Sequence, residues 1–323
     1  MKVMVTGGNG FVATHLIQQL LDRGDTVIAT VRTIEKGEQL TGLFPTDKFA
    51  YILSALTDFP DLALQEEMLD TGVLFHVASP LGDENPNNPL LIEQATTMVQ
   101  AVFDNAAAVG LKRIIMTSSQ AAATPKADST GIFDESFWSD ESNLELNAYR
   151  LSKVKAEKLA WTLADENNLQ LTTILPGAIF GPVLTPHLGS NGLIAQIIHG
   201  TRLPKINLEI SDVRDVARLH VLAAATDKSV SQRYIAKNGD LTFQQVAELL
   251  KTEFPTVQTK TLPDFVIRLA AIFMKPLRAL TPMLGRRYTH TNQKAINQLG
   301  YQPMDPEATI LDAAERLKSQ FLL

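Results

Sequence analysis

The sequence predicts an α/β protein in which a doubly wound parallel sheet is followed by a smaller, mostly helical C-terminal lobe. Short apolar runs rich in Val, Ile and Leu recur between residues 2 and 175, and most show no polar alternation. Strands buried on both faces of a parallel sheet have this composition. Helical patterns separate the runs, which is the order of elements expected for repeated βαβ units.

The elements of the sheet can be placed in chain order. We predict strands at residues 3–5, 26–31, 49–53, 73–78, 113–117 and 171–175, and helices at 11–23, 90–108 and 148–166. Right-handed crossovers between such strands leave a ligand crevice at the carboxyl ends of the strands.

The alternation of predicted strands and helices ends after residue 175. Pro and Gly cluster at 176–192, and residues 240–323 look mostly helical with interspersed prolines. We therefore assign residues 1–175 to the sheet domain and 176–323 mainly to the second lobe. Part of 205–238 is expected to return to the sheet domain.

Charge and cysteine content exclude several classes of protein. The net charge of −6 and pI of about 5.6 argue against nucleic acid or an anionic membrane as partner. The absence of cysteine excludes disulfides, thiolate metal sites and a cysteine nucleophile, and we predict no metal site. The first residues lack the pattern of a secretory signal, and no apolar run approaches the ~20 residues of a membrane span. We expect a cytoplasmic protein without a membrane partner.

A glycine-rich turn links the first predicted strand to the first predicted helix. It carries Gly7, Gly10 and Ala13 at three-residue spacing. In a dinucleotide-binding turn, glycines permit the tight turn and the close approach of the pyrophosphate, and a small residue lets the helix pack on the strand. The helix N-terminus then presents free N–H groups to the anion. This context predicts a Rossmann-type dinucleotide site.

The end of the second strand indicates which dinucleotide binds. NAD-binding chains place an Asp or Glu there for the ribose hydroxyls, whereas this strand ends in Thr30-Val-Arg32. Arg32 and Lys36 can pair with a 2′-phosphate. Glu35 lies nearby, but its position makes it a less natural ribose ligand. We therefore expect NADP(H) as the cofactor.

Two further motifs suggest proton transfer to a carbonyl group. Tyr149 and Lys153 are four residues apart on a predicted helix and share one face. An ammonium group near a phenol favours the phenolate, which suits proton transfer near neutral pH. Ser118 and Ser119 end the fifth strand, where a hydroxyl can stabilise charge growing on an oxygen. Each motif alone also has a plain interpretation, as a core aromatic beside a surface lysine or as a serine turn.

Together with these motifs, four segments make the chain resemble the extended short-chain dehydrogenases/reductases. More narrowly, it resembles the branch of dihydroflavonol reductases, cinnamoyl-CoA reductases and NADPH-dependent aldehyde reductases. The segments are Phe75-His-Val-Ala-Ser-Pro80, Asp134-Glu-Ser-Phe-Trp-Ser-Asp140, Pro176-Gly-Ala-Ile-Phe-Gly-Pro182 and Asp212-Val-Arg-Asp-Val-Ala217. The resemblance spans nearly the whole chain.

The resemblance implies a role for each motif. Tyr149 would protonate the developing alkoxide, and Lys153 would tune Tyr149 and hold the nicotinamide ribose. Ser119 would polarise the carbonyl, with Ser118 as the adjacent alternative. The adenine contact would come from backbone or from Asp58. The implied cofactor contacts are Gly7, Gly10, Phe11, Val12, Arg32, Lys36, Leu56, Val77, Ala78, Ser79, Tyr149, Lys153, Pro176 and Ile179.

The leading hypothesis is NADPH-dependent reduction of an aldehyde or ketone to an alcohol. An NAD-dependent sugar-nucleotide epimerase or dehydratase, or a hydroxysteroid-type dehydrogenase, is disfavoured because no acid ends the second strand. A non-catalytic dinucleotide-sensing regulator is disfavoured because the Tyr/Lys pair is present.

The substrate pocket is predicted to lie between residues 81–90, 181–193 and the C-terminal lobe. Its apolar content suggests a hydrophobic or aromatic carbonyl compound, and the residues in question are Leu81, Leu184, Leu188, Leu193, Phe265 and Met274. The sequence leaves open whether the protein is a monomer or a homodimer.

Overall fold

The computed structural model describes residues 1–81, 85–143, 146–273 and 281–321. The strands are β1 (Lys2–Val5), β2 (Thr26–Val31), β3 (Phe49–Leu53), β4 (Val73–His76), β5 (Arg113–Thr117), β6 (Thr130–Phe133), β7 (Gln170–Pro176), β8 (Ala178–Phe180), β9 (Asn207–Asp212), β10 (Gln232–Ala236), β11 (Gly239–Thr242) and β12 (Arg287–His290).

The helices within the described ranges include none that is both long and apolar enough to cross a bilayer. They are α1 (Phe11–Asp22), α2 (Ile34–Leu43), α3 (Leu62–Met68), α4 (Leu90–Ala108), α5 (Ala148–Glu166), α6 (Asn191–Ile198), α7 (Val213–Ala224), α8 (Phe243–Lys251), α9 (Asp264–Phe273), α10 (Gln293–Leu299) and α11 (Pro306–Phe321).

The centre of the fold is a seven-stranded parallel sheet in the order β10-β7-β5-β4-β1-β2-β3. The predicted doubly wound parallel sheet is confirmed, and all six predicted strands belong to it. Strand order reverses between β1 and β4. Such a switch point opens a crevice at the carboxyl ends of the strands, so it determines where the candidate site lies.

Helices cover both faces of this sheet, as the apolar strands require. Because side chains alternate along a strand, Val3 and Val5 pack in one core cluster and Met4 in the opposite one. The first cluster is completed by apolar residues of α1 and α7, and the second by those of α3, α4 and α5. The sheet is therefore buried on both sides and presents only its strand ends to a ligand.

The second lobe has a core of its own. A three-stranded sheet, in the order β11-β9-β8, packs against α6, α8 and α11. The sequence predicted a mostly helical lobe and did not reveal these three strands, which are just 3 to 6 residues long. A separate parallel pair joins β6 to β12.

One close approach fixes α2 against the sheet. A Cβ on Gly37 would lie 2.2–2.4 Å from ring atoms of Tyr51 in β3. Glycine at this position therefore lets the aromatic ring pack directly on the helix backbone.

We expect Gly37→Ala to lower the free energy of unfolding by about 1–3 kcal/mol, because the added methyl overpacks this contact. The matched control is Gly42→Ala in the same helix, where a Cβ meets no described atom within 4 Å. That change should be neutral or stabilise by up to about 1 kcal/mol. Urea unfolding measures both, and equal stability of the two variants would contradict the packing argument.

Candidate active site

The glycine turn after β1 is held against the end of β4 by one hydroxyl. Thr6 Oγ1 accepts hydrogen bonds from the backbone N–H groups of Val77 and Ala78, each at 3.0 Å. With both acceptor positions filled, its proton points to His76 Nδ1, 3.0 Å away. The sequence placed Thr6 in the motif but gave it no role. It joins two segments that were expected to contact the cofactor.

The turn itself has the shape that a dinucleotide pyrophosphate requires. Gly7 has a positive φ of 67°, and a Cβ there would lie 3.0 Å from the Cβ of Ala78. Gly10 is the N-cap of α1 and provides no side-chain capping bond. The first N–H groups of α1, including those of Phe11 and Val12, therefore have no intrahelical acceptor. These residues fit a bound nicotinamide dinucleotide, whose pyrophosphate would lie at this helix N-terminus.

The two predicted phosphate-binding cations lie at one helix terminus. Arg32 follows β2 directly and is exposed, and Lys36 lies in the first turn of α2. Thr33 caps that helix by accepting a bond from Lys36 N at 3.4 Å. Among the described residues, no carboxylate forms a salt bridge with Arg32. The guanidinium is therefore available to an external anion.

The loop after β3 is held in place by Asn105 of α4, to which sequence reasoning gave no role. Leu56 adopts a positive φ of 61°, and its N–H bonds to Ser54 Oγ at 3.1 Å. Asn105, fully buried on α4, donates to the Asp58 carbonyl at 2.9 Å and accepts from Asp61 N at 2.9 Å. An asparagine on the apolar face of a predicted helix was the available signal.

Tyr149 and Lys153 share one face of α5, as their spacing predicted. Lys153 Nζ lies 5.1 Å from the centroid of the Tyr149 ring. The same ammonium donates to Ser79 Oγ and, at 3.4 Å, to the Pro80 carbonyl. The side chain of Lys153 is buried, whereas that of Tyr149 is half-buried. The helix therefore brings the phenol and the ammonium to the end of β4.

The structure separates the two adjacent serines. Ser118 is buried, and its hydroxyl donates to Glu157 Oε2 at 2.6 Å. Ser119 is half-buried and accepts a bond from Ala121 N at 3.1 Å, as the N-cap of a short 3-10 helix at Gln120–Ala123. The Ser118 hydroxyl thus donates to a carboxylate. Within the described part of the chain, the Ser119 hydroxyl accepts one hydrogen bond and donates none.

A buried ion pair lies behind these serines. Glu157 of α5 and Arg233 of β10 pair at 2.8 Å, and both are buried. Glu157 also accepts from Thr173 at 2.7 Å, and Arg233 lies 3.6 Å from the centroid of the Trp138 ring. Sequence reasoning missed the pair, because its members are 76 positions apart.

The remaining predicted contacts lie around the crevice. Val77, Ala78 and Ser79 follow β4, whereas Pro176 ends β7 and Ile179 lies in β8. The predicted pocket is described only in part, because Met274 and residues 82–84 lie outside the described residues. Within the described part, Leu184, Leu188 and Leu193 are half-buried, Leu81 is exposed, and Phe265 is 70% exposed.

Comparison with known proteins agrees with this geometry. Residues 3–236 match the NAD dependent epimerase/dehydratase family. The chain belongs to this family, the extended short-chain dehydrogenases/reductases. The narrower resemblance is also confirmed, because the relatives include reductases of the expected branch.

Three relatives illustrate the likeness. An anthocyanidin reductase ((2S)-flavan-3-ol-forming) of Vitis vinifera is 31% identical over 81% of this chain and 82% of its own length. The NADPH-dependent methylglyoxal reductase of Saccharomyces cerevisiae is 31% identical over 80% and 84%. Cinnamoyl-CoA reductase 2 of Medicago truncatula is 33% identical over 78% and 76%.

The fold is shared with solved extended reductases over the full length of the chain. The yeast methylglyoxal/isovaleraldehyde reductase Gre2, solved in complex with NADPH, superposes with a TM-score of 0.82 at 27% identity and covers 100% of both chains. A UDP-glucuronic acid 4-epimerase of Bacillus cereus, solved with NAD, has a TM-score of 0.77 at 18% identity. At that identity the likeness concerns the fold alone.

His76 introduces a pH dependence into this site. Burial, and then the positive charge of Lys153, lower the pKa of His76 from 6.5 to about 4. The folded protein keeps the imidazole neutral, so its Nδ1 can accept from Thr6. Between pH 6.5 and 4 the unfolded chain binds a proton that the folded chain does not, and stability falls as the pH is lowered.

We expect His76 to contribute about 3 kcal/mol to the decrease in the free energy of unfolding between pH 6.5 and 4. His76→Asn retains an acceptor for Thr6 and should reduce the pH dependence in that window. The part due to His220, whose pKa burial also lowers to about 4, should remain. His199→Asn, at an exposed histidine, should leave the pH dependence unchanged. Urea unfolding at several pH values measures the slopes, and parallel slopes for wild type and His76→Asn would refute the assignment.

Proposed function

We propose that the protein reduces an aldehyde or ketone to an alcohol with NADPH. The observation that carries this proposal is the Tyr149–Lys153 pair on one face of α5, whose ammonium reaches Ser79 at the end of β4. Ser119 follows the neighbouring strand β5, and Gly7 of the glycine turn lies against Ala78. NADPH, when bound, supplies the hydride to the carbonyl carbon. The side chains of this chain then have to orient the carbonyl and give its oxygen a proton.

Each side chain has a distinct part in that step. The Ser119 hydroxyl donates a hydrogen bond to the carbonyl oxygen, where negative charge grows as the C=O bond is reduced. The Tyr149 hydroxyl gives that oxygen its proton, which completes the alcohol. Lys153, between Ser79 and the Tyr149 ring, keeps a positive charge beside the phenol and favours loss of its proton. Ser118 is less suited to the serine role, because its proton is directed to Glu157.

The proposed preference for NADPH rests on Arg32 and Lys36. Both lie beside the N-terminus of α2, where free N–H groups also favour an anion. The 2′-phosphate would bind there, and the adenine would lie near Leu56 and Asp58. The relatives named as NADPH-dependent, or solved with NADPH, support the same choice.

The proposed substrate is a hydrophobic or aromatic carbonyl compound. It would bind between residues 1–175, which would hold the cofactor, and the lobe formed mainly by 176–323. The half-buried leucines at 184, 188 and 193 support this choice. The names of the anthocyanidin and cinnamoyl-CoA reductases, both acting on aromatic compounds, also support it.

We expect Tyr149→Phe to lower kcat for carbonyl reduction by roughly 10²–10⁴-fold, because the proton donor is removed. The Kd for NADPH, followed by its fluorescence, should stay within about twofold, because the ring is retained. Tyr234→Phe is the control, since its hydroxyl bonds to Gln298 on the sheet edge. Turnover of Tyr149→Phe at the wild-type rate would exclude Tyr149 as the acid.

We expect Arg32→Ser to raise the KM for NADPH by roughly 10-fold or more, because one charge-assisted bond to the phosphate is lost. The KM for NADH, which lacks that phosphate, should change little. Lys112→Ala removes an equal charge just before β5, at the amino ends of the strands and away from Arg32 at the carboxyl end of β2, and should affect neither value. A wild-type enzyme that prefers NADH would overturn the choice of cofactor.

A further inference from the structure

Two helices carry large apolar side chains on their solvent-facing sides. On α3, Leu62 is 74% exposed and Leu69 is 63% exposed. On α9, Phe265, Leu269 and Ile272 are between 59% and 70% exposed. A single exposed leucine is ordinary on a protein surface, whereas apolar residues grouped on one face mark a site of interaction. The chain has two such faces.

The opposite side of each helix is anchored in a core. Leu64 and Met68 of α3 are fully buried and belong to the core cluster that also contains residues of α4 and α5. Ile267 and Ala271 of α9 are buried, and Ile267 belongs to the core of the second lobe. The exposed residues are therefore held outward by the packing of the inner side.

The exposed face of α3 has an acidic centre. Leu62, Glu66 and Leu69 follow at i, i+4 and i+7, so they lie on one side of the helix with the carboxylate between the two leucines. Glu66 is exposed and takes part in no salt bridge within the described chain, whereas the neighbouring Glu67 pairs with Lys2 at 2.7 Å. The three side chains span two helical turns, about 10 Å.

The exposed face of α9 has the same pattern with a basic centre. Phe265, Arg268 and Ile272 follow at i, i+3 and i+7, and Leu269 lies beside the arginine. Arg268 is exposed and, among the residues that the structure describes, forms no salt bridge. This face also spans about 10 Å. When the two helices lie along each other, Arg268 can therefore face Glu66 while apolar residues meet at both ends.

The flanking charges extend this contrast. Asp70 is exposed directly after α3. Arg202 and Lys205 are exposed on a loop beside the start of α9, where the Leu262 N–H donates to the Leu203 carbonyl at 3.1 Å. In a chain with a net charge of −6, the basic face is the exception. Surfaces of opposite charge attract each other and discriminate against other partners.

We propose that the α3 face of one molecule binds the α9 face of a second copy of this chain. Both faces are exposed, so they do not cover each other within one molecule. In a dimer with two-fold symmetry, α3 and α9 of one copy meet α9 and α3 of the other, and the contact forms twice. Stable interfaces bury about 1,200–2,000 Å² in total, and this duplication doubles the area that one pair of helix faces supplies.

Reversal of the central charges tests the contact. We expect Arg268→Glu and Glu66→Arg each to raise the Kd of the dimer by roughly 10-fold or more, because both contacts exchange an attraction for a repulsion. An equimolar mixture of the two variants should restore the dimer, since both contacts then join opposite charges again. Lys112→Glu, at an exposed lysine outside both faces, should leave the Kd unchanged. Sedimentation equilibrium at several protein concentrations measures the Kd.

The apolar part of the contact is tested separately. Leu269→Ser should also raise the Kd of the dimer by roughly 10-fold, because an apolar side chain no longer leaves water on association. Leu311→Ser, at a leucine of α11 that is 40% exposed, is the matched control and should have no effect. Thermal unfolding checks that each variant is folded.

Several results would overturn the inference, which does not depend on the proposed function. One is a wild-type chain that keeps the monomer mass of 35.4 kDa at every concentration. Another is a dimer whose Kd neither charge reversal changes, or a mixture of the two variants that stays monomeric. Binding of monomeric wild type to phosphatidylserine vesicles, lost in Arg268→Glu, would assign the α9 face to a membrane surface instead.

Discussion

The arrangement of the candidate site depends on the buried pair of Glu157 and Arg233. Glu157 lies on the helix that carries Tyr149, two turns further on, and it accepts a hydrogen bond from the Ser118 hydroxyl. Arg233 fixes the edge strand β10 and donates to the carbonyls of Glu135 and Phe137 at 2.7 and 2.8 Å. One carboxylate therefore fixes the position of α5 relative to the turn that carries Ser118 and Ser119. Loss of either partner would leave an unpaired buried charge, which is costly.

The strands and helices of the central sheet could be predicted from the sequence because each shows its own local pattern of apolar residues. Strands buried on both faces have to be apolar throughout, and each helix between them shows the period of its buried stripe. The bounds of α4 and α5 agree with the prediction at both ends. The strands of the second lobe could not be found this way. β8 has only three residues, and β9 carries the polar residues Asn207, Glu209 and Ser211 between its apolar ones, so neither shows the continuous apolar run of a central strand.

In the candidate site, too, the residues set by local spacing could be predicted from the sequence, and those that depend on distant residues could not. The glycine turn and the Tyr149–Lys153 pair are fixed by spacing on one element, so a single sequence reveals them. The geometry at Ser118 and Ser119, by contrast, depends on a carboxylate from another helix. The partner of Glu157, Arg233, lies 76 positions away and becomes visible only when α5 and β10 are in place. A sequence gives the type of such a group but not its partner.

The pairing of β6 with β12 also bears on how the chain is made. Thr130 of β6 lies opposite Arg287 of β12. The strand β6 therefore leaves the ribosome roughly 150 residues before its partner β12. At synthesis rates of roughly 5–20 residues per second, that interval lasts about 10 to 30 seconds. During this interval the central sheet can assemble from β1 to β5 and β7, while β12, the strand that pairs with β6, has not yet been synthesised. Completion of this strand pair, and of the loop ahead of α5, is thus deferred to the last stage of translation.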